Sequence, residues 1–261
     1  MCELLGVCVE QPVRLSLGWE EFALHGSRQG GNPDGWGVAY FAHRDALILR
    51  EPRPAASSEM VKFLAHHAPA SKLIISHIRR ATMGARILEN TQPFVRNLAG
   101  RAHVFAHNGH VPDIEIPASK LFLSPTGDTD SERLFLRLLG EMEDIWKNGV
   151  PPLADRYAVI EKFAKHMRKR GAVNFLYCDG QTLFAHGHRH TIPGEAISSD
   201  PGLYVLERDA DDSDATQCIG LSCDGGKGRQ AIVATVPLDD QPWMPLACGE
   251  IACFEKGRRI L

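Results

Sequence analysis

No apolar run in this sequence approaches the roughly 18 residues that would mark a membrane-spanning helix, and a spanning protein is therefore not expected. A secretory leader is not expected either. The start carries no positive charge, Glu3 is acidic, and Gln11-Pro12 end the first apolar run after a few residues. These features point to a cytoplasmic protein. Excess positive charge is also absent: 29 Lys and Arg stand against 32 Asp and Glu, a formal net charge of -3. Nucleic acid and anionic membrane surfaces are not expected partners. Repeats, low-complexity linkers and composition breaks are lacking, so residues 2–261 read as one domain. A chain of 261 residues can bury a sizeable core without disulfides or metals.

The seven cysteines are odd in number and thinly spread, which argues against a disulfide framework. Cys218/Cys223 and Cys248/Cys253 are both spaced C-x4-C. Residues five apart on a strand point to opposite faces, so buried cysteines are preferred to a zinc site. His186, His188 and His190 alternate, and a strand would put all three on one face. That is ligand-like geometry without an acidic or His partner to complete it, and a half-exposed strand explains it equally. CDGGKGRQ (223–230) lacks Walker A spacing, and DGWGVAY is not a dinucleotide fingerprint. No cofactor and no metal are expected.

Regular β-α alternation is missing as well, which excludes a doubly wound parallel sheet. Strands are expected at 3–9, in the hairpin GVAYFA/ALILRE, at KLIISHIR and at HVFAH, with a short helix around 19–25 and a glycine-rich loop after it. SSEMVKFLAHHA reads as a Ser-capped helix ending before Pro69. Thr129 and Glu132 fit a capping box for a helix carrying Leu134, Phe135, Leu138, Leu139, Met142 and Ile145 at helical spacing. A second helix is expected over about 154–169, then strands at VNFLYCD, TLFAHGH, LYVLER, TQCIGLS, QAIVATVPL and EIACFE. The order suits an α+β fold of two mostly antiparallel sheets covered by helices.

Four short segments could carry chemistry. If Met1 is removed, Cys2 bears a thiol and a free α-amine on one carbon. The thiolate is the nucleophile, and an amine of pKa about 7.7–8.0 can take its proton. In SHIRRATMG, Arg79 closes a strand, where its planar fork suits a carboxylate; a solvated loop charge is the plain alternative. In HVFAHNGHV, Asn108-Gly109 is either a hairpin turn or an oxyanion hole of one carboxamide and one backbone N–H. In GDTDSE, Asp130 is either a helix-terminal carboxylate favoured by the dipole or a seat for a substrate ammonium.

Taken together and in this order, Cys2, R-x-x-T-x-G, H-N-G and T-D-S-E resemble the class II glutamine amidotransferases, whose glutaminase domains are N-terminal-nucleophile (Ntn) hydrolases. The resemblance runs from Cys2 to about residue 135. It implies an αββα sandwich, with Cys2 as nucleophile, Asn108 and Gly109 as oxyanion hole, Arg79 on the α-carboxylate, Thr82 in the same loop and Asp130 on the α-ammonium. His77 and His107 are supporting residues in this reading. Arg80 stands where the family has Trp, and Met83 where it has His, so the substrate is either glutamine or another γ-glutamyl amide. DGWG (34–37), LENTQPF (88–94) and the compact length resemble the stand-alone YafJ-like branch, which includes γ-glutamyl hydrolases. The resemblance further implies release of glutamate with ammonia or an amine, taken up by a separate acceptor protein or simply released. A glutamine-binding regulatory subunit without activity is the rival reading.

Overall fold

In the computed structural model, residues 2–15, 34–81, 84–116, 124–189, 201–209, 221–222 and 228–261 are described. The helix expected at 19–25, most of the glycine-rich loop and most of TQCIGLS lie outside them.

β1 (Glu3–Leu15) is the spine of the first sheet. It pairs with β4 (Ser71–Arg79) on one side and β11 (Gln230–Ala234) on the other, both antiparallel. β2 (Gly35–Ala42) and β3 (Asp45–Glu51) form the expected hairpin and extend the sheet past β4. β9 (Tyr204–Arg208) and the short β12 (Met244–Pro245) extend it past β11, and β10 (Leu221–Ser222) pairs with the end of β1. β1 runs beyond the expected 3–9 because its register shifts between Cys8 and Val13. The irregularity takes up Pro12, which reads in sequence as a stop.

The second sheet has six strands in the order β14-β13-β8-β7-β6-β5. They are β5 (Phe94–Leu98), β6 (Arg101–His110), β7 (Ala172–Cys178), β8 (Leu183–His186), β13 (Ile251–Glu255) and β14 (Arg258–Arg259). Every pairing is antiparallel.

Alternation along each strand sorts the apolar side chains into three buried layers. Leu4, Cys8, Leu73, Ile75, Val104, Ala106, Leu176 and Ala185 fill the space between the sheets. Leu5, Val7, Val38 and Ile74 face the other way, onto Val61 and Leu64 of α1 (Glu59–His67). Phe105, Phe175 and Cys253 face Leu134, Leu138, Ile160 and Phe163 of α2 (Asp130–Met142) and α3 (Leu153–Met167). The result is helix, sheet, sheet, helices: the αββα sandwich.

The helix starts follow the sequence. Ser58 caps α1 by accepting from the Val61 N–H at 3.2 Å, and Thr129 caps α2 by accepting from the Glu132 N–H at 3.3 Å. The return half of the expected capping box is replaced. The buried Glu132 carboxylate accepts instead from the N–H groups of Thr126 and Gly127 at 3.0 and 2.7 Å and pairs with Arg96 at 2.5 Å. It therefore fastens the loop leading into α2 to the edge strand β5.

Candidate active site

Side-chain parity carries three strands to one place. Cys2 continues the Leu4/Cys8 row of β1, and Arg79 continues the Leu73/Ile75/His77 row of β4. Asn108 continues the Val104/Ala106 row of β6 from the opposite sheet. All three sit at one end of the inter-sheet layer. The N-terminus of α2 closes that end, and one cleft is lined by Cys2, Arg79, Gly109, Thr129 and Asp130 together.

The Cys2 sulfur lies against the Arg80 peptide, accepting from its N–H at 3.2 Å and facing its carbonyl at 3.3 Å. Burial pushes the thiol above its ordinary value, partly offset by the Arg80 N–H and Arg79. Arg79 is almost fully buried and donates to the carbonyls of Ala85 (2.9 Å) and Gly84 (3.2 Å). Burial lowers its pKa, with Cys2 and Asp34 acting to raise it.

Asn108-Gly109 is not a hairpin turn. β6 continues to His110, with Asn108 opposite Asn174 and Gly109 opposite Val173. The Asn108 backbone carbonyl accepts from the Asn174 side-chain amide at 3.0 Å, while the buried Asn108 Nδ2 has no partner among the described residues. An unpaired buried donor is costly unless something arrives to accept from it. A Cβ at Gly109 would stand 2.0 Å from the Ala172 carbonyl oxygen, so β7 requires glycine there.

Asp130 occupies the first position of α2. Its Oδ2 accepts from the Val111 N–H at 2.8 Å and lies 3.4 Å from His110 Nδ1, and its Oδ1 accepts from the Ser131 N–H at 2.9 Å. His107 pairs through Nδ1 with Ser131 Oγ at 2.9 Å. His77 is fully buried and held neutral, its pKa pushed down to about 3 by burial and by Arg79; burial lowers His107 as well. Thr82 lies outside the described residues.

Two groups go beyond the sequence-based set. Asp34 accepts from the Ala81 N–H at 2.7 Å, pairs with Arg86 at 2.7 Å, and donates its own N–H to the Arg79 carbonyl at 2.6 Å. Gln92 bridges to β6, accepting from the His107 N–H at 2.6 Å and donating to the His107 carbonyl at 3.2 Å. DGWG and LENTQPF were the signals, but neither assigns a partner.

Cavity size does not find this site. A much larger hollow, about 580 Å³, lies at the other end of the layer among Cys8, Phe41, His43, Lys72 and Lys256. The Cys2 cleft holds about 30 Å³, roughly the room of one water. Convergent polar groups, not volume, mark it out.

The expected histidine stripe ends early: β8 stops at His186. His186 is buried with Nδ1 on the Val173 carbonyl at 2.7 Å, and His188 Nδ1 faces the Val173 N–H at 3.4 Å. His190 lies outside the described residues. Cys253 is buried in the core beneath α2 and α3, and Cys218 and Cys223 lie outside the described residues. Among the described residues no three His, Cys, Asp or Glu side chains are placed to share a metal ion, and no helix is long and apolar enough to cross a membrane.

The sandwich is that of an Ntn hydrolase, and the family model described as glutamine amidotransferases class-II matches residues 1–261. The chain belongs to that family, and its chemistry is that of a glutamine amidotransferase acting on glutamine or γ-glutamyl amides. Among individual relatives, YafJ of Escherichia coli K12 is 28% identical over 264 residues, covering 100% of both chains. A Haemophilus influenzae Rd protein, also bearing a glutamine amidotransferase name, is 31% identical over 263 residues, covering 100% of this chain and 86% of its own. The crystal structure of a predicted glutamine amidotransferase from Pseudomonas aeruginosa PA01 superposes with a TM-score of 0.70 at 27% identity, covering 100% of both chains. The phosphoribosylpyrophosphate amidotransferase of B. subtilis shares the fold at a TM-score of 0.61 and 15% identity, over 99% of this chain and 48% of that one.

Proposed function

We propose that Cys2, freed by removal of Met1, is the nucleophile that hydrolyses the γ-amide of glutamine or of a γ-glutamyl amine. The observation that carries this reading is the meeting of Cys2, Arg79, Gly109 and Asp130 in one cleft, with the Asn108 side-chain amide, which has no partner among the described residues, next along the chain to Gly109. Residues 2–261 act as a single domain in this reading.

The Cys2 sulfur attacks the γ-carbonyl carbon while the α-amine of the same residue takes the thiol proton. A free amine suits this task because burial keeps the thiol protonated at rest. The carbonyl electrons move onto oxygen, where Asn108 Nδ2 and the Gly109 N–H stabilise the oxyanion. The C–N bond then breaks, and the proton held by the α-amine goes to the departing nitrogen. The γ-glutamyl thioester is hydrolysed by water, which supplies the hydroxyl of glutamate and returns the proton to sulfur. Arg79 and Thr82 hold the α-carboxylate end and Asp130 the α-ammonium, so a simple amide lacking that end is a poor substrate. A γ-glutamyl group is larger than the free space of the cleft, so its binding requires the walls to part. The released ammonia or amine passes to a separate acceptor protein or to solvent.

Glutamate release over a panel of glutamine and γ-glutamyl amines, on protein whose intact mass shows Met1 removed, tests the reading. Turnover supports it; none across the panel, with Met1 gone, indicates a glutamine-binding subunit without activity.

A further inference from the structure

The loop that carries Arg79's partners and the loop that carries Asp130 come from different parts of the chain, and one side chain joins them. Asn90 ends a short 3-10 turn and is fully buried. Its Nδ2 donates to the Ala85 carbonyl at 3.1 Å and to Asp128 Oδ1 at 2.5 Å, and its Oδ1 accepts from the Asp128 N–H at 3.0 Å. The Ala85 carbonyl is also a Nη1 acceptor for Arg79. Asp128 lies two residues before Asp130, next to the Thr129 cap, and its charge acts on Arg79.

The chain leaves room for this junction. A Cβ at Gly127 would stand 2.2 Å from Asn90 Oδ1. At Gly84, where φ is +76°, a Cβ would stand 2.6 Å from Asp128 Oδ1 and 2.9 Å from Asn90 Nδ2. Two glycines, one on each loop, are therefore needed to bring the loops onto Asn90.

We propose that Asn90 is a positioning residue that fixes the spacing between Arg79 and Asp130, and with it the selectivity for a substrate bearing both an α-carboxylate and an α-ammonium. The proposal rests on the roles given above to Arg79 and Asp130. Asn90 makes no hydrogen bond to the thiol or to the Arg80 peptide against it, which Asp34 holds through Ala81. Loss of Asn90 is thus expected to loosen recognition of the amino-acid end far more than it alters the nucleophile.

Two alkylating probes separate these effects. 6-Diazo-5-oxo-L-norleucine carries the zwitterionic amino-acid end; iodoacetamide does not. Labelling of Cys2 is followed by mass analysis of the N-terminal peptide, which separates it from the exposed Cys248, in wild type, Asn90→Ala, Asn90→Asp and the double variant Asn90→Asp/Asp128→Asn. In Asn90→Ala, labelling by the amino-acid probe is expected to slow by about tenfold, the loss of one or two charge-assisted hydrogen bonds, with iodoacetamide labelling within about twofold of wild type. Asn90→Asp, which sets a carboxylate against Asp128, is expected to be worse, and adding Asp128→Asn to restore part of the lost rate. Equal slowing of both probes in every variant, or no slowing in either, overturns the proposal. A wild-type protein that takes iodoacetamide but not the amino-acid probe on Cys2 overturns the reading of the site itself, and the proposal with it.

Discussion

Asn108 is where the residue-level account is most exposed. Its backbone carbonyl accepts from Asn174, while its buried side-chain Nδ2 has no partner among the described residues, as the proposed oxyanion role requires. Asn108→Ala is expected to lower kcat by about 10²–10³-fold with little change in KM, because the bond is made mainly in the transition state. A change confined to KM would move Asn108 from oxyanion stabilisation to ground-state binding. Single residues were legible where a motif gave them a role: Cys2, Arg79, Gly109 and Asp130 meet in one cleft. Asp34 and Asn90 were not. Each is a short polar side chain whose meaning lies in partners 38 to 47 positions away, and no local pattern specifies such partners.

At the level of elements, the apolar patterns gave α1, α2, α3 and most strands to within a few residues, since burial on one face imposes periods of 3.6 or 2. They missed where polar groups redirected the chain. Pro12 reads as a stop yet lies within a bulged strand, and Asn108-Gly109, open in sequence to a hairpin turn or an oxyanion hole, does not turn but continues β6 into its pairing with β7. The capping box was half right, its Glu132 being drawn to the preceding loop and Arg96. Thr129 is the half that formed, and it carries Asp130 directly after it. Thr129→Ala is expected to destabilise the fold by about 1 kcal/mol, read as a lower urea midpoint. It is also expected to raise KM more than it lowers kcat, since the end of α2 that positions Asp130 loosens. An unchanged KM would separate the cap from the site.

For the whole molecule, the sandwich buries imidazoles that ordinary folds leave wet. His77 and His186 are pushed down to about 3 and His103 to about 4, all chiefly by burial, and His107 is lowered in the same way. The unfolded chain, with His near 6.5, binds more protons than the native one between those values, so stability is full above about pH 6.5 and is lost as pH falls toward 3 to 4. Glu3 runs the other way: burial raises it to about 7, so its contribution is present below about 4.5 and lost as pH rises through 7. Four imidazoles outweigh one carboxyl, and the urea midpoint is expected to fall between pH 7 and about pH 5; a midpoint that rises would mean the histidines are not buried neutral. The two-sheet architecture was legible from the order of strands and helices, but the meeting of β1, β4, β6 and α2 at one end of it depended on long-range register. The most direct test of the central claim is glutamate release from a γ-glutamyl amide by wild type beside Cys2→Ala, both folded and both free of Met1. The account predicts turnover in wild type and a loss of about 10⁴-fold or more in the variant; a Cys2→Ala protein that keeps the wild-type rate would contradict it.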